Sequence, residues 1–234
     1  MPSDFRNKLT TLMRSGWLSY TVRETAIVTI GILIAFALNA WWEGHKQDRE
    51  EAKHLRALAS DFERNAESLQ SLVKLEEQIS AASLALIKVQ GPMDDEATRQ
   101  AIGRVFSSSR FEPVMGAYEG LVNASGLTLI TDDALRTDLA SFAASVSNPY
   151  GVRISDDLYF AFTSEFIGKL QMTEMILGQP TSVEKYRELL ADARFREQLA
   201  IRYAAERDVG RYYAQLLETC ERINASLRRV RKEE

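Results

Sequence analysis

A single cysteine in 234 residues, Cys220, excludes an intramolecular disulfide framework. Five prolines and twelve glycines are few for this length, which argues against a fold of short strands and tight turns. Basic charge is not in excess. With 29 Lys and Arg against 33 Asp and Glu, the net charge of −4 lacks the electrostatic footprint of a nucleic-acid binder. Gly-rich phosphate loops, nucleophile elbows and His-based triads are missing too. What remains is ordinary for a folded chain: 45% apolar and 26% charged residues, enough for one membrane segment and one domain with its own core.

Charge is also missing from one long run, Thr25 to Trp42. Its 18 residues span roughly 27 Å as a helix, against a hydrocarbon core of about 30 Å. Trp17 and Tyr20 precede it and Trp41 and Trp42 close it, the level at which amphipathic rings anchor a span. A cleaved signal peptide would end in small residues, whereas this run ends in two tryptophans and Glu43. The expected layout is a short N-terminal segment (1–24), a transmembrane helix (25–42) and an extramembrane domain (43–234). Residues 4–20 predict an interfacial amphipathic helix, with Phe5, Leu9, Leu12, Met13 and Trp17 set among Arg6, Lys8 and Arg14. Lys and Arg are balanced across the span, but Glu43, Asp48, Glu50 and Glu51 neutralise the second flank. That favours a cytoplasmic N-terminus and an extracytoplasmic domain.

Within the span, Gly31, Ala35 and Asn39 recur every four residues and share one face, and Glu24 lies close to that face. Small residues let helices approach closely in lipid, and an amide can hydrogen-bond across the contact. These four residues are the candidate surface for self-association or partner-helix docking.

The domain predicts helices throughout. Leu55, Leu58, Phe62, Leu69, Leu72, Ile79 and Leu86 recur at spacings of three, four or seven, the stripe of a stalk helix that ends at Gly91-Pro92. Continuing unbroken from the membrane, it would rise about 70 Å. Shorter helices are expected over 94–106, 115–125 with Gly126 as a left-handed cap, and 132–146 capped by Thr131. Asn148-Pro149 predicts the cap and first turn of an aromatic-rich helix carrying Leu158, Phe162, Phe166 and Leu170 and stopping at Gly178. Thr181 to Glu184 reads as a capping box for a short helix. The last helix, 193–230, carries a heptad of Val209, Tyr213, Leu216, Cys220, Ile223, Leu227 and Val230. The expected fold is all-α: an N-terminal transmembrane helix continuing into a long stalk, with the stalk and last helix antiparallel in a bundle. Arg228, Arg229, Arg231 and Lys232 then either return toward anionic headgroups or complement the helix dipole.

The run Gly31-Ile-Leu-Ile-Ala35, followed by Asn39, Trp41, Glu43 and Lys46 and preceded by Glu24, resembles a family of bacterial single-span membrane proteins of unknown function. The resemblance continues at Tyr118-Glu119, Leu121, Ser125-Gly126-Leu127, Ile130 and Leu135-Arg136, and departs at Ala40 and Trp42, where asparagines are commoner. It implies the architecture above in a bacterial inner membrane, and no chemistry.

Candidate reactive groups each have a plainer reading. His45 and His54, nine residues apart, point about 180° apart on one helix and cannot share an ion. Glu51 and His54 match half of a di-iron motif with no second copy. Ser71 and Lys74 have Ser-x-x-Lys spacing without companion motifs. Cys220, Tyr212, Tyr213, Phe160 and Phe162 read as packing. The expected protein is a non-catalytic, membrane-anchored helical interaction module without metal or cofactor, its partners the bilayer and a second copy or another membrane protein. The alternative is an extracytoplasmic ligand-sensing bundle that signals through a partner.

Overall fold

The computed structural model describes residues 4–88, 95–170 and 183–233, and side chains within 23–88, 96–149, 151–170 and 184–230. The α-helices are α1 (Asp4–Lys88), α2 (Asp95–Val105), α3 (Gly116–Ala124), α4 (Asp133–Ser147), α5 (Tyr150–Phe166), α6 (Val183–Ala191) and α7 (Ala193–Glu233), with 3₁₀ turns at Leu127–Leu129 and Ile167–Leu170. No strand occurs among the described residues, so the chain is all-α. It divides into two compact units, Met1–Lys53 and His54–Glu234, with α1 contributing to both.

In the first unit residues 4–20 are helical and form the start of α1; their side chains lie outside the described residues. Every side chain from Arg23 to Trp42 is exposed, Phe36 and Trp42 by about two-thirds. Among the described residues one helix, near the N-terminus, is long and apolar enough to cross a membrane.

In the second unit α1 and α7 run antiparallel. The Asn224 amide donates to the Phe62 carbonyl (3.1 Å), Gly210 backs onto Glu76, and Arg196 donates to the Ile87 carbonyl (3.3 Å). As one helix ascends, the other descends. Gly210 makes this crossing close, since a Cβ there would stand 3.3 Å from that of Glu76, tighter than an ordinary contact. Helices α4, α5 and α6 pack on α7.

Two apolar clusters fill the bundle. One gathers Leu55, Leu58, Phe62 and Leu69 of α1 with Leu139 and Phe142 of α4 and the α7 stripe from Val209 to Leu227. The other joins Leu86, Ile102, Phe162, Phe166, Phe195 and Leu199. Each fully buried Leu or Phe contributes roughly 1.5–3 kcal/mol, so the long helices depend on these faces rather than on intrinsic propensity.

Polar side chains from α1 fix the connections. The Asn65 amide bonds Val114 in both directions, accepting from its N–H (2.7 Å) and donating to its carbonyl (2.9 Å). Asp61 accepts from the Ala117 N–H (2.8 Å), standing in for the cap that Met115 does not provide to α3.

Several expected boundaries move. The α4 cap is Asp132 rather than Thr131, because its carboxylate accepts from both Ala134 and Leu135 N–H groups and also meets Arg229. Pro149 takes the N-cap position of α5 and Asn148 ends α4, one residue from expectation. The α5 helix gives way to a 3₁₀ turn at Ile167, before Gly178. Gly126 does follow α3, but its φ of 72° and ψ of 173° are extended rather than left-handed helical, a region open essentially to glycine. The Gly91-Pro92 and Gly178 stops and Thr181 lie outside the described residues.

Candidate functional site: a polar layer and its groove

Between the two apolar clusters lies a layer of charge. Glu76 of α1 and Arg202 and Glu206 of α7 are each at least 95% buried. Arg202 Nη1 stands 3.0 Å from Glu206 Oε1, and its guanidinium lies over the rings of Tyr159 (4.8 Å) and Phe162 (5.6 Å). It also donates to the Ser107 carbonyl. The Ser109 hydroxyl donates to Glu76 Oε1, and the Ser155 hydroxyl donates to Glu206 Oε1 (3.4 Å). Tyr213 completes the surroundings, its buried hydroxyl accepting from the Phe111 N–H. Among the described residues Glu76 Oε2 meets no hydrogen-bond donor, and Arg202 Nε meets no acceptor.

Two carboxyls and one guanidinium in a dry layer cannot all stay charged cheaply. Burial, reinforced by hydrogen bonding and repulsion from Glu206, raises the Glu76 pKa from 4.5 to about 9. Glu76 is therefore a neutral acid at pH 7, and its otherwise unpartnered oxygen can carry the proton that Glu206 accepts. Burial lowers the Arg202 pKa, while the two carboxyls oppose that shift.

A groove of about 450 Å³ opens over this layer between α1 and α7. Glu76 and Glu206 line it from beneath, with Glu77, Arg207 and Arg211 exposed at the rim. Val73 and Leu84 from one wall and Tyr203 from the other supply half-buried surface.

The residues expected to associate in the membrane, Glu24, Gly31, Ala35 and Asn39, are exposed on α1, and among the described residues nothing beyond the neighbouring residues and backbone of its own helix lies within 4 Å of a Cβ built at Gly31. Trp41 and Trp42 are exposed, and the Trp41 ring stands 4.7 Å from that of His45. The side chains of Trp17 and Tyr20 lie outside the described residues. The Ser71 hydroxyl is bound to the Glu67 carbonyl of its own helix. Cys220 is buried in the apolar cluster, its thiol pKa pushed up to about 12 by that burial. Phe162 packs as expected, but Phe160 points out, 62% exposed, because α5 buries the face of Val152, Ser155, Phe162 and Phe166. Of the C-terminal cations, Arg229 pairs with Asp132 (2.9 Å); the side chains of Arg231 and Lys232 lie outside the described residues.

Glu76, Arg202 and Glu206 were not singled out by the sequence reading. A signal for them exists: both stripes continue through polar letters, Leu72–Glu76–Ile79–Ser83–Leu86 in α1 and Phe195–Leu199–Arg202–Glu206–Val209 in α7. Reading only apolar letters passes over the charges that keep the period.

A family model described as "Family of unknown function (DUF6090)" matches residues 24–154, more than half of the chain. No curated protein and no solved structure matches.

Proposed function

This chain belongs to that family of unknown function, and we propose from its own residues that it is a membrane-anchored, non-catalytic helical interaction module. It acts as an oligomer or as a subunit of a membrane complex, in the inner membrane of a bacterium with its N-terminus in the cytoplasm and its domain outside. One observation carries this reading: the uncharged face from Ile27 to Trp42 is wholly exposed, with Gly31, Ala35 and Asn39 free to meet another helix. The absence of catalytic motifs from the sequence supports a non-catalytic role. Cross-linking of the full-length chain in native membranes tests it. The wild type is expected to yield a defined oligomer or a stoichiometric partner, and Asn39→Leu to weaken it. Recovery of monomer alone overturns the proposal.

A second reading, a ligand-sensing bundle signalling through a partner, is favoured by the groove over Glu76 and Glu206. A ligand-dependent rise in the melting temperature of the full-length protein is the corresponding sign.

A further inference from the structure

We infer that the α1–α7 groove is a binding site for a small zwitterion of the amino-acid type, its ammonium held over Glu76 and Glu206 and its carboxylate held by Arg207 and Arg211. The inference deepens the ligand-sensing reading and rests on it for its biological purpose only.

The charges lining the groove select the class. A simple anion meets three carboxyl side chains, Glu76, Glu77 and Glu206. A simple cation meets two exposed guanidinium groups, Arg207 and Arg211. A molecule carrying both signs a few bonds apart answers both sets. Among the described residues no trio of His, Cys, Asp or Glu is arranged to hold a metal ion, so an organic ammonium fits these carboxyls better. The volume of about 450 Å³ lies within the range of small-molecule sites.

A further observation sits in the floor. Glu76 is 1% exposed and lines the groove, and among the described residues its Oε2 has no hydrogen-bond partner apart from the proton it shares with Glu206. Buried carboxyl oxygens are ordinarily satisfied, and once Glu76 ionises that proton has to be replaced by another donor. An ammonium is such a donor. The rim can reorganise to admit it: Arg207 lies 5.5 Å from the Tyr203 ring, and Arg211 pairs with Asp208 of its own helix, weak exposed interactions that a ligand carboxylate can replace.

Glu76 enters this exchange as a neutral acid, since burial and Glu206 raise its pKa to about 9. An arriving ammonium favours the carboxylate, so binding transfers the Glu76 proton to solvent. No covalent bond forms or breaks except this O–H.

Isothermal titration of the full-length protein in detergent, at pH 7 and in two buffers of different ionisation enthalpy, tests the inference. The probes are the common L-amino acids, each compared with the amine and the carboxylic acid that lack one of its charges. At least one amino acid is expected to bind, its one-charge analogues about tenfold or more weakly, and binding is expected to release up to one proton. The Arg207→Gln/Arg211→Gln double variant changes exposed side chains alone and is expected to lose about tenfold in affinity or more. Glu76→Gln, checked for helicity by circular dichroism, is expected to abolish proton release. Absence of binding by every amino acid overturns the inference, as does binding that neither variant alters. Either failure leaves the cross-linking result untouched, so loss of this site and loss of the assembly reading are distinguishable.

Discussion

At the scale of single residues, Glu76 is the most consequential side chain. Its pKa of about 9 in the fold and 4.5 ordinarily gives a definite sign. Below pH 4.5 both states hold the proton, and the buried acid costs least. As pH rises the unfolded chain ionises while the folded one does not, so stability falls by on the order of 1 kcal/mol per pH unit until about pH 9. Glu76→Gln keeps the shape and stays neutral. Its urea midpoint is therefore expected near that of the wild type at pH 4 and increasingly above it toward pH 8. A difference independent of pH would contradict a protonated Glu76. Asn65 makes the opposite case, a buried amide whose two bonds to Val114 are fully used. Asn65→Ala is expected to cost about 1–3 kcal/mol, read from the same denaturation curves, because it orphans a donor and an acceptor.

At the scale of elements, the helix ends are held by carboxylates. Asp132 caps α4, and its pKa is lowered first by the Leu135 N–H and further by Arg229 and Ala134. Asp192 accepts from the Arg194 and Phe195 N–H groups at the start of α7, and its pKa is lowered chiefly by Lys169. A depressed carboxylate contributes stability above its ordinary pKa and loses it as pH falls through the lower folded value. These caps therefore weaken in acid, where the Glu76 penalty is least. Asp132→Ala is expected to destabilise by about 1 kcal/mol near neutral pH, with Asp132→Asn retaining part of that by keeping the cap without the charge. Thermal melts of both variants decide it, and an Asn variant no better than Ala would place the whole effect on Arg229. The heptads were legible in the sequence because hydrophobic period is a property of the segment itself. The caps were less so, since Thr131 and Asp132 are both acceptable at that position and only the turn geometry chooses.

At the scale of the whole molecule, the apolar stretch of α1 governs behaviour. The full-length chain is expected to stay in the pellet when membranes are washed at alkaline pH, and protease added to sealed, right-side-out vesicles is expected to remove the domain. Release by the wash would remove the membrane reading; full protection would reverse the orientation. The sequence by itself determined that the chain is helical, where its uncharged run lies and which stripes must be covered, because period, charge and hydropathy belong to each segment alone. Only the tertiary structure decided that Glu76 faces Arg202 and Glu206, that Asp61 serves α3, and that a groove opens over the charged layer. Those pairings join residues far apart in the chain, and their register is set by how two helices and the loops between them pack, which no local pattern records.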